Sequence, residues 1–185
     1  MQGKKIFLYT LFSGLGDFLI IGDLIHKIEE NVPNSRCIAA HRDNPHVKHW
    51  KYNNSPEHFF NILSPRILFQ LIQDLKSLRK EGHTVFGLQQ APGSLQGFSF
   101  LKLLKFLGAI DYVVDLNLYN ADIITPPRGN YILDIHLNQI CDLLKIKIPG
   151  SDYVLGVPFE FPIKNTDAGL IGIHPWGRRE NLSSF

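Results

Sequence analysis

The sequence predicts an α/β protein in which a parallel sheet is covered by helices on both faces. Short apolar runs of strand length alternate along the chain with longer amphipathic segments, an order typical of β-α-β units. The first run, residues 5–10, is apolar and continuous, as expected of a strand buried on both faces. With 44% hydrophobic and 19% charged residues, the 185-residue chain can bury a sizeable core.

Five strands and four helices are predicted before residue 147. The strands are residues 5–10, 36–40, 58–63, 83–89 and 111–116. The helices are residues 18–30, a long helix from Pro65 to just before Gly82, residues 98–107 and residues 131–146. The second helix has the clearest boundaries, because Ser64 can cap it, Pro65 suits its first position and Gly82 ends it.

The chain divides into three parts. Residues 1–150 form one domain, and residues 151–168, which hold prolines and glycines without a sustained period, are predicted to be a linker or crossover. Residues 169–185 contain a further apolar strand and a loop, but no helix that would cover them. Since an uncovered strand cannot bury its faces, these residues are expected to be the start of a second domain that is truncated here.

Composition excludes several classes of protein. No apolar run approaches the roughly 20 residues of a membrane span, and the amino terminus does not read as a secretory signal, so a cytoplasmic protein is expected. A net charge of +2 is too small to indicate nucleic-acid binding. Cys37 and Cys141 lie in apolar surroundings and are predicted to be buried free thiols.

A turn of small residues, SGLGD at positions 13–17, follows the first predicted strand. Its glycines permit a tight turn and let a ligand approach the amino terminus of the next helix. A dinucleotide-binding fingerprint would place a third glycine where this chain has Leu19, and an acidic residue after the second strand, where it has Arg42. An NAD(P)-dependent oxidoreductase domain is therefore kept only as an alternative, with Arg42 meeting a phosphorylated ribose.

Asp17, at the end of this turn, has two interpretations. An aspartate directly before a helix is a favoured cap, worth about 1 kcal/mol. A carboxylate at the carboxyl edge of a parallel sheet, where α/β folds bind ligands, could instead take a proton from a hydroxyl nucleophile.

Four short motifs, in order along nearly the whole chain, carry a resemblance to a known family. They are GD at 16–17, PNS at 33–35, FLGA at 106–109, and IGIHP at 171–175 followed by Gly177. In these motifs the chain is similar to glycosyltransferase family 9, the heptosyltransferases of lipopolysaccharide core synthesis. The resemblance implies a GT-B architecture, in which two Rossmann-like domains face each other across a cleft.

The resemblance also implies an activity. Residues 1–150 would be the Rossmann-like domain that binds a saccharide or lipid-linked acceptor, and the second domain would bind a nucleotide-diphosphate sugar, ADP-heptose by analogy. Transfer would be inverting, would need neither metal nor cofactor, and would use Asp17 as the general base. An alternative from another class is a truncated, non-catalytic remnant that only binds sugars or phosphates.

Candidate binding residues follow from the same resemblance and from their positions after strands. Those expected to bind the acceptor are Ser13, Gly14, Gly16, Arg42, Arg66, Gln89, Gln90 and Ser94. Those expected to bind the donor diphosphate are His174, Gly177, Arg178 and Arg179, one of the two arginines replacing a lysine usual in the family.

Three further features have open interpretations. The basic residues His41, Arg42, His46, Lys48 and His49 form either a solvated loop or a rim for anionic acceptors, with a histidine metal site a weaker alternative. The apolar helix at 98–107 is expected to be buried, the alternative being peripheral contact with the inner face of an anionic membrane. Glu29 and Glu30 are expected to be the solvated end of a helix.

Overall fold

A computed structural model describes residues 3–12, 15–43, 47, 59–89, 95–115, 121–125 and 132–146, and only the backbone of residues 15–20, 23 and 132–134. The predicted linker and second-domain strand lie outside these residues. The described part contains a six-stranded sheet in which every pairing is parallel. The strands are β1 (Lys5–Leu11), β2 (Ser35–His41), β3 (Phe59–Asn61), β4 (Thr84–Gln89), β5 (Tyr112–Asp115) and β6 (Ile123–Ile124).

The strand order is β3-β2-β1-β4-β5-β6, with β1 in the middle of the sheet. Lys5 of β1 pairs in register with Ser35 on one side and with Thr84 on the other. This order is that of the doubly wound, Rossmann-like sheet. The predicted fold class is therefore confirmed, although the two-residue strand β6 was not predicted.

Within the described residues, four helices cover the sheet on both faces. They are α1 (Leu15–Asn31), α2 (Pro65–Lys80), α3 (Leu95–Phe106) and α4 (Ile132–Leu144). Buried side chains of α1 and α4 join one core cluster, and those of α2 and α3 join the other. Each helix thus buries an apolar side against one face of the sheet.

The burial of β1 explains why its sequence is continuously apolar. Phe7, Tyr9 and Leu11 belong to the core under α1 and α4, whereas Ile6 and Leu8 belong to the core under α2 and α3. All five are essentially inaccessible to solvent. Burying one such side chain contributes about 1.5–3 kcal/mol, so this strand anchors both layers of helices.

The boundaries of α2 are confirmed, and those of α1 and α3 are corrected. The Ser64 side chain accepts a hydrogen bond from the Ile67 N–H at 3.5 Å, and Gly82 beyond the helix has a φ of 86°. Helices α1 and α3 each begin three residues before the predicted position. In both, the added turn contains a glycine, which lowers helix propensity but does not prevent helix formation when packing favours it.

Two aspartates close the amino edge of the sheet. Asp111 accepts hydrogen bonds from Arg79 Nε at 2.7 Å and from the Val85 N–H of β4 at 2.8 Å. Asp122 is paired with Lys105 Nζ and accepts a hydrogen bond from the Val113 N–H of β5 at 2.7 Å.

The pKa of Asp122 reflects these contacts. Partial desolvation raises it, but the hydrogen bonds from Lys105 and Val113, together with the charges of Lys105 and Lys102, hold the pKa below the usual value. The carboxylate therefore stays ionised and continues to hold β5 at this edge.

Strand β3 pairs only with the carboxyl-terminal half of β2. Glu29 covers part of the amino-terminal half of β2, which β3 does not reach. Its carboxylate accepts a hydrogen bond from the Cys37 N–H at 2.8 Å, which satisfies a backbone donor of the strand. The expectation that Glu29 is merely solvated was therefore wrong, whereas Glu30 is exposed and pairs with His26.

The two cysteines differ in burial. Both are free, but Cys37 is buried and Cys141 only half-buried, so the prediction of burial was wrong for Cys141. Burial, followed by the nearby charge of Glu29, raises the pKa of the Cys37 thiol. A thiol in such an apolar setting is chemically inert.

Candidate functional site

The order of the strands singles out one position for a ligand. After β1 the chain runs through α1 to β2 on one side, and after β4 it runs through α3 to β5 on the other. Where two neighbouring strands send their connections in opposite directions, a crevice opens at the carboxyl edge of the sheet, and α/β folds bind their ligands there. We refer to this position, between the carboxyl ends of β1 and β4, as the crevice.

Thr10 and Gln89 form the floor of the crevice. They are partners in the pairing of β1 with β4, and both are buried. Helix α3 crosses above them at Gly97, where an added Cβ would lie 2.8 Å from Thr10 Oγ1 and 3.5 Å from Gln89 Cγ. The glycine therefore allows the first turn of α3 to approach the floor closely.

Arg42, directly after β2, lies at the rim of the crevice and is held there by two contacts. Its guanidinium lies over the ring of Phe12, 4.5 Å from the centroid, and its Nη1 donates a hydrogen bond to Gln96 Oε1 at 2.9 Å. Phe12 in turn packs edge-on against Phe100 of α3, with centroids 5.6 Å apart. A guanidinium fixed in this way keeps further N–H donors for an anion such as a carboxylate or a phosphate.

The polar residues around the end of β2 are held to β3. Asp43 and Asn61 exchange hydrogen bonds, from the Asp43 N–H to Asn61 Oδ1 and from Asn61 Nδ2 to Asp43 Oδ1, both at 3.2 Å. His41, the last residue of β2, is buried. Its pKa is lowered because burial disfavours the charged ring, with Asp43 opposing the effect.

The basic cluster after the second strand is thus divided. His41 belongs to the strand and is buried, so the interpretation of this residue as part of a solvated basic loop was wrong. Arg42 is exposed at the rim. His46, Lys48 and His49 lie outside the described residues, and no group of three potential metal ligands occurs within them.

The residues of the first loop are only partly described. Gly16 and Asp17 belong to the first turn of α1, which starts at the carboxyl edge of the sheet beside β1. Asp17 is the third residue of the helix, so the interpretation of this residue as the cap preceding it was wrong. Ser13 and Gly14 lie outside the described residues, as does the side-chain orientation of Asp17.

The other predicted site residues differ in where the structure places them. Gln89 is the last residue of β4, in agreement with the predicted strand 83–89, and it lies buried at the crevice. Arg66 is exposed in the first turn of α2, and no hydrogen bond between described residues joins it to Arg42 or Gln89. The remaining predicted residues, Gln90, Ser94, His174, Gly177, Arg178 and Arg179, lie outside the described ranges.

Three residues of the crevice were not foreseen, namely Thr10, Phe12 and Gln96. Thr10 was counted as the end of an apolar strand, and Phe12 and Gln96 precede the apolar runs from which helices were predicted. Their contacts join separate elements, so spacing along the chain carried no signal for them. The only local indication was Gly97, a glycine near the start of a helix.

No helix in the described part of the chain combines the length and the apolarity needed to cross a membrane.

Comparison with known proteins gives matches in structure but none in sequence. No family model matches the chain, and no curated protein matches it in sequence. The E. coli heptosyltransferase WaaC with ADP aligns with a TM-score of 0.57 at 10% identity, over 82% of this chain and 51% of that one. The structure of WaaC with ADP-2-deoxy-2-fluoro heptose aligns with a TM-score of 0.53 at 11% identity, over 81% and 52%.

A family 9 glycosyltransferase from Veillonella parvula aligns less well, with a TM-score of 0.48 at 12% identity, over 76% of this chain and 41% of that one. The present chain thus spans about half the length of the WaaC structures. At this identity the similarity concerns the fold alone: the described domain has the Rossmann-like α/β fold that makes up about half of a heptosyltransferase chain.

Proposed function

We propose that this chain is the acceptor-binding half of a glycosyltransferase of the heptosyltransferase type. The observation that carries the proposal is the crevice, where the first turn of α1, with Asp17, starts beside a rim that holds Arg42 in place. The fold similarity to WaaC supports the same assignment. The reaction would be an inverting transfer of a sugar, by analogy heptose, from a nucleotide diphosphate to an acceptor resembling the lipopolysaccharide core.

Asp17 is proposed as the general base. A sugar hydroxyl attacks an anomeric carbon poorly until its proton has an acceptor, and a carboxylate at the crevice can supply one. Asp17 lies in the first turn of α1. The free N–H groups and dipole of a helix amino terminus favour the ionised, proton-accepting form of a carboxylate at that position.

Arg42 is proposed to bind an anionic group of the acceptor, a carboxylate or a phosphate. Its contacts with Phe12 and Gln96 fix the guanidinium before the ligand arrives. Less side-chain entropy is therefore lost on binding. Gln90 and Ser94, which follow β4, are proposed to hydrogen-bond sugar hydroxyls beside it.

The donor is proposed to bind in a second domain. The two WaaC structures hold ADP and ADP-2-deoxy-2-fluoro heptose, and this chain spans about half of their length. His174, Gly177, Arg178 and Arg179 would contribute to the diphosphate site. Cationic and N–H groups there would stabilise the departing diphosphate, so the proposed reaction uses neither a metal nor a cofactor. The proposed location of the reaction is the cytoplasm.

The test is Asp17→Asn in a protein that includes a donor domain, with ADP release from ADP-heptose measured in the presence of a lipopolysaccharide-core acceptor. Removing the base should lower kcat by about 10²–10⁴-fold. Asp23→Asn, a matched change about one and two-thirds turns further along the same helix, should leave kcat within about two-fold, because a general base must lie within hydrogen-bond reach of its proton. Equal turnover of the Asp17→Asn variant and the unchanged protein would remove the base assignment.

A second candidate function is a non-catalytic domain that only binds sugars or phosphates. Arg42 and its two supporting residues are all present within residues 1–150. Calorimetry with an anionic sugar such as a sugar phosphate, together with a transfer assay, separates the two functions. Binding without any transfer, even when a donor domain is supplied, would favour the binding domain.

The oxidoreductase alternative has its own test, because dinucleotide-binding domains share this strand order. Leu19 stands at the third glycine position of their fingerprint, and β2 ends at His41 rather than at an acidic residue. We expect NADH and NADPH to leave the intrinsic fluorescence unchanged in a titration. Saturable binding of either would favour the oxidoreductase.

A further inference from the structure

The sheet has two lateral edges, formed by the outer strands β3 and β6, and both outer strands are short. Strand β3 has three residues and pairs only with Ala39–His41 of β2. Strand β6 has two residues and pairs only with Val114 and Asp115 of β5. The amino-terminal parts of β2 and β5 therefore have no strand of the described residues on their outer sides. Uncovered strand edges of this kind can pair with another chain.

Cys37 is the outward-facing residue of β2 that β3 does not reach. Successive residues of a strand in a parallel sheet point their N–H and C=O groups alternately to the two sides. His41 faces β3, because its carbonyl accepts a hydrogen bond from the Ile62 N–H at 2.9 Å. Cys37, an even number of positions earlier, faces the same side, and its N–H donates to the Glu29 carboxylate at 2.8 Å. A side chain of α1 thus takes the place of a strand.

The corresponding residue of β5 is Val113. Its carbonyl accepts a hydrogen bond from the Asp122 N–H at 2.9 Å, so Val113 faces the side of β6. Its N–H donates to the Asp122 carboxylate at 2.7 Å. Asp122 directly precedes β6 and is itself paired with Lys105. At both lateral edges, therefore, a carboxylate holds the N–H that an added strand would need.

The acceptor at each position is a carboxylate, and this decides its competition with another chain. An incoming strand can offer Cys37 or Val113 only a neutral carbonyl. A hydrogen bond to a carboxylate is roughly twice as strong as one between neutral groups. Displacing Asp122 would in addition separate it from Lys105. While the two carboxylates are in place, pairing with another chain is therefore unfavourable.

We propose that Glu29 and Asp122 keep this sheet from pairing with the sheet of a second copy of the chain. Each occupies the outward N–H with which an incoming strand would begin to pair. The strands behind them suit such pairing, because residues 37–40 of β2 and residues 113–114 of β5 are apolar or small and buried. Uncharged segments of this kind pair readily once an edge is open. This inference does not depend on sugar transfer.

Opening one edge and opening both edges lead to different assemblies. With only the β2 edge open, two copies pair β2 with β2 around a two-fold axis, and the contact closes as a dimer. With both edges open, each copy pairs through β2 on one side and through β5 on the other, so the assembly has no closed end. Single and double substitutions should therefore differ in the size of the assembly that they produce.

The test is sedimentation velocity of the 185-residue chain at about 100 μM, within the range in which open strand edges associate. The unchanged chain should sediment as a monomer. Glu29→Ala and Asp122→Ala should each double the mass, and the double variant should form larger assemblies whose mass rises with concentration. Glu29→Gln keeps an acceptor oxygen for the Cys37 N–H, so it should dimerise about ten-fold more weakly than Glu29→Ala.

Two variants serve as controls. Glu30→Ala, at the next position of α1, removes an exposed carboxylate that pairs with His26, and it should stay monomeric. Asp111→Ala removes the partner of Arg79 and should lower the stability, but it leaves both lateral edges covered, so it should also stay monomeric. Circular dichroism at the same concentration should show native helix content in every variant.

Helix α3 offers a second route to self-association, which the same experiment separates from strand pairing. On its outer side Phe106 is 87% exposed and Leu103 51%, so the expectation that this helix is buried was wrong for that side. Association through these side chains would occur in the unchanged chain and would be removed by Phe106→Ser. Strand pairing needs the loss of Glu29 or Asp122 and should persist in Glu29→Ala/Phe106→Ser.

Several results would overturn the proposal. One is a folded, monomeric protein for both Glu29→Ala and Asp122→Ala. Another is equal association of Asp111→Ala and Glu29→Ala, which would assign the association to lost stability. A third is a double variant that stops at the dimer. If Glu29→Ala does not fold, Asp122→Ala and Glu29→Gln carry the same test, and monomers of both at every concentration would count against the proposal.

Discussion

The two ends of the sheet use their polar residues differently. At the amino edge, Asp111 and Asp122 each bind both a basic side chain and a backbone N–H of a strand, so their charges are satisfied within the chain. At the carboxyl edge, Arg42 is held in place by a ring and an amide, and no carboxylate of the described residues forms an ion pair with it. The first arrangement holds elements together, and the second fixes a cation whose proposed partner is an external anion.

Removing the Asp111 carboxylate is the strongest test of the amino edge. Asp111→Ala leaves a partly buried Arg79 guanidinium without its partner and the Val85 N–H without its acceptor. We expect the free energy of unfolding to fall by about 2–3 kcal/mol, measured by urea denaturation.

The matched control is Asp74→Ala, an exposed aspartate of α2, which should change the free energy of unfolding by no more than about 0.5 kcal/mol. Binding of a sugar phosphate to the folded Asp111→Ala protein, measured by calorimetry, should be unchanged if the two edges of the sheet are separate in function. A comparable loss of stability in both variants would contradict the role assigned to the amino edge.

A methyl group at Gly97 tests the crevice with a smaller expected effect. In Gly97→Ala the added Cβ would lie 2.8 Å from Thr10 Oγ1, so α3 must shift away from the floor. Overpacking costs about 2 kcal/mol, and the better helix propensity of alanine returns about 1 kcal/mol, so a net loss of about 1 kcal/mol is expected by thermal or urea unfolding.

Ser99→Ala, on the exposed side of the same helix, is the matched control and should be neutral or slightly stabilising. Unlike Asp111→Ala, Gly97→Ala should also weaken anion binding at Arg42, because Gln96 moves with α3. A stabilised Gly97→Ala protein with unchanged binding would show that α3 does not press on the floor.

The smallest expected effect is the change in folding stability with pH that arises from titration of His41. Burial lowers the pKa of His41 below its ordinary value of 6.5, so between that folded-state pKa and 6.5 the unfolded chain binds more protons than the folded one. Stability should therefore fall as the pH drops below about 6.5 and level off below the folded-state pKa.

The measurement is urea denaturation at a series of pH values between neutral and mildly acidic. His41→Gln, which cannot titrate, should flatten this part of the stability profile. An identical slope in the variant and in the unchanged protein would place the titrating group elsewhere.

The sequence predicted the fold where the signal was local. The continuous apolar run of β1 predicted a strand covered on both faces, and Ser64, Pro65 and Gly82 predicted the boundaries of α2. Strand β6 was missed because two residues are too few to show a period. The starts of α1 and α3 were placed too late because the glycine in each first turn suggested a loop.

The candidate site was predictable in position but not in composition. The turn after β1 indicated the carboxyl edge of the sheet, where the crevice lies, because it combines glycines with an acidic residue before the predicted helix. The contact of Arg42 with Phe12 and Gln96 joins three elements that are far apart in sequence, and residue types alone could not indicate it.

The pairing of β1 also sets the order in which the protein can fold during synthesis. One side of β1 pairs with β2, which is complete once His41 has been made, but the other side waits for β4, which ends at Gln89. At about 5–20 residues per second, the ribosome needs roughly 2–10 s to make the stretch between them. During that time one edge of an apolar strand stays open to pairing with other chains, so nascent copies are exposed to aggregation at this step.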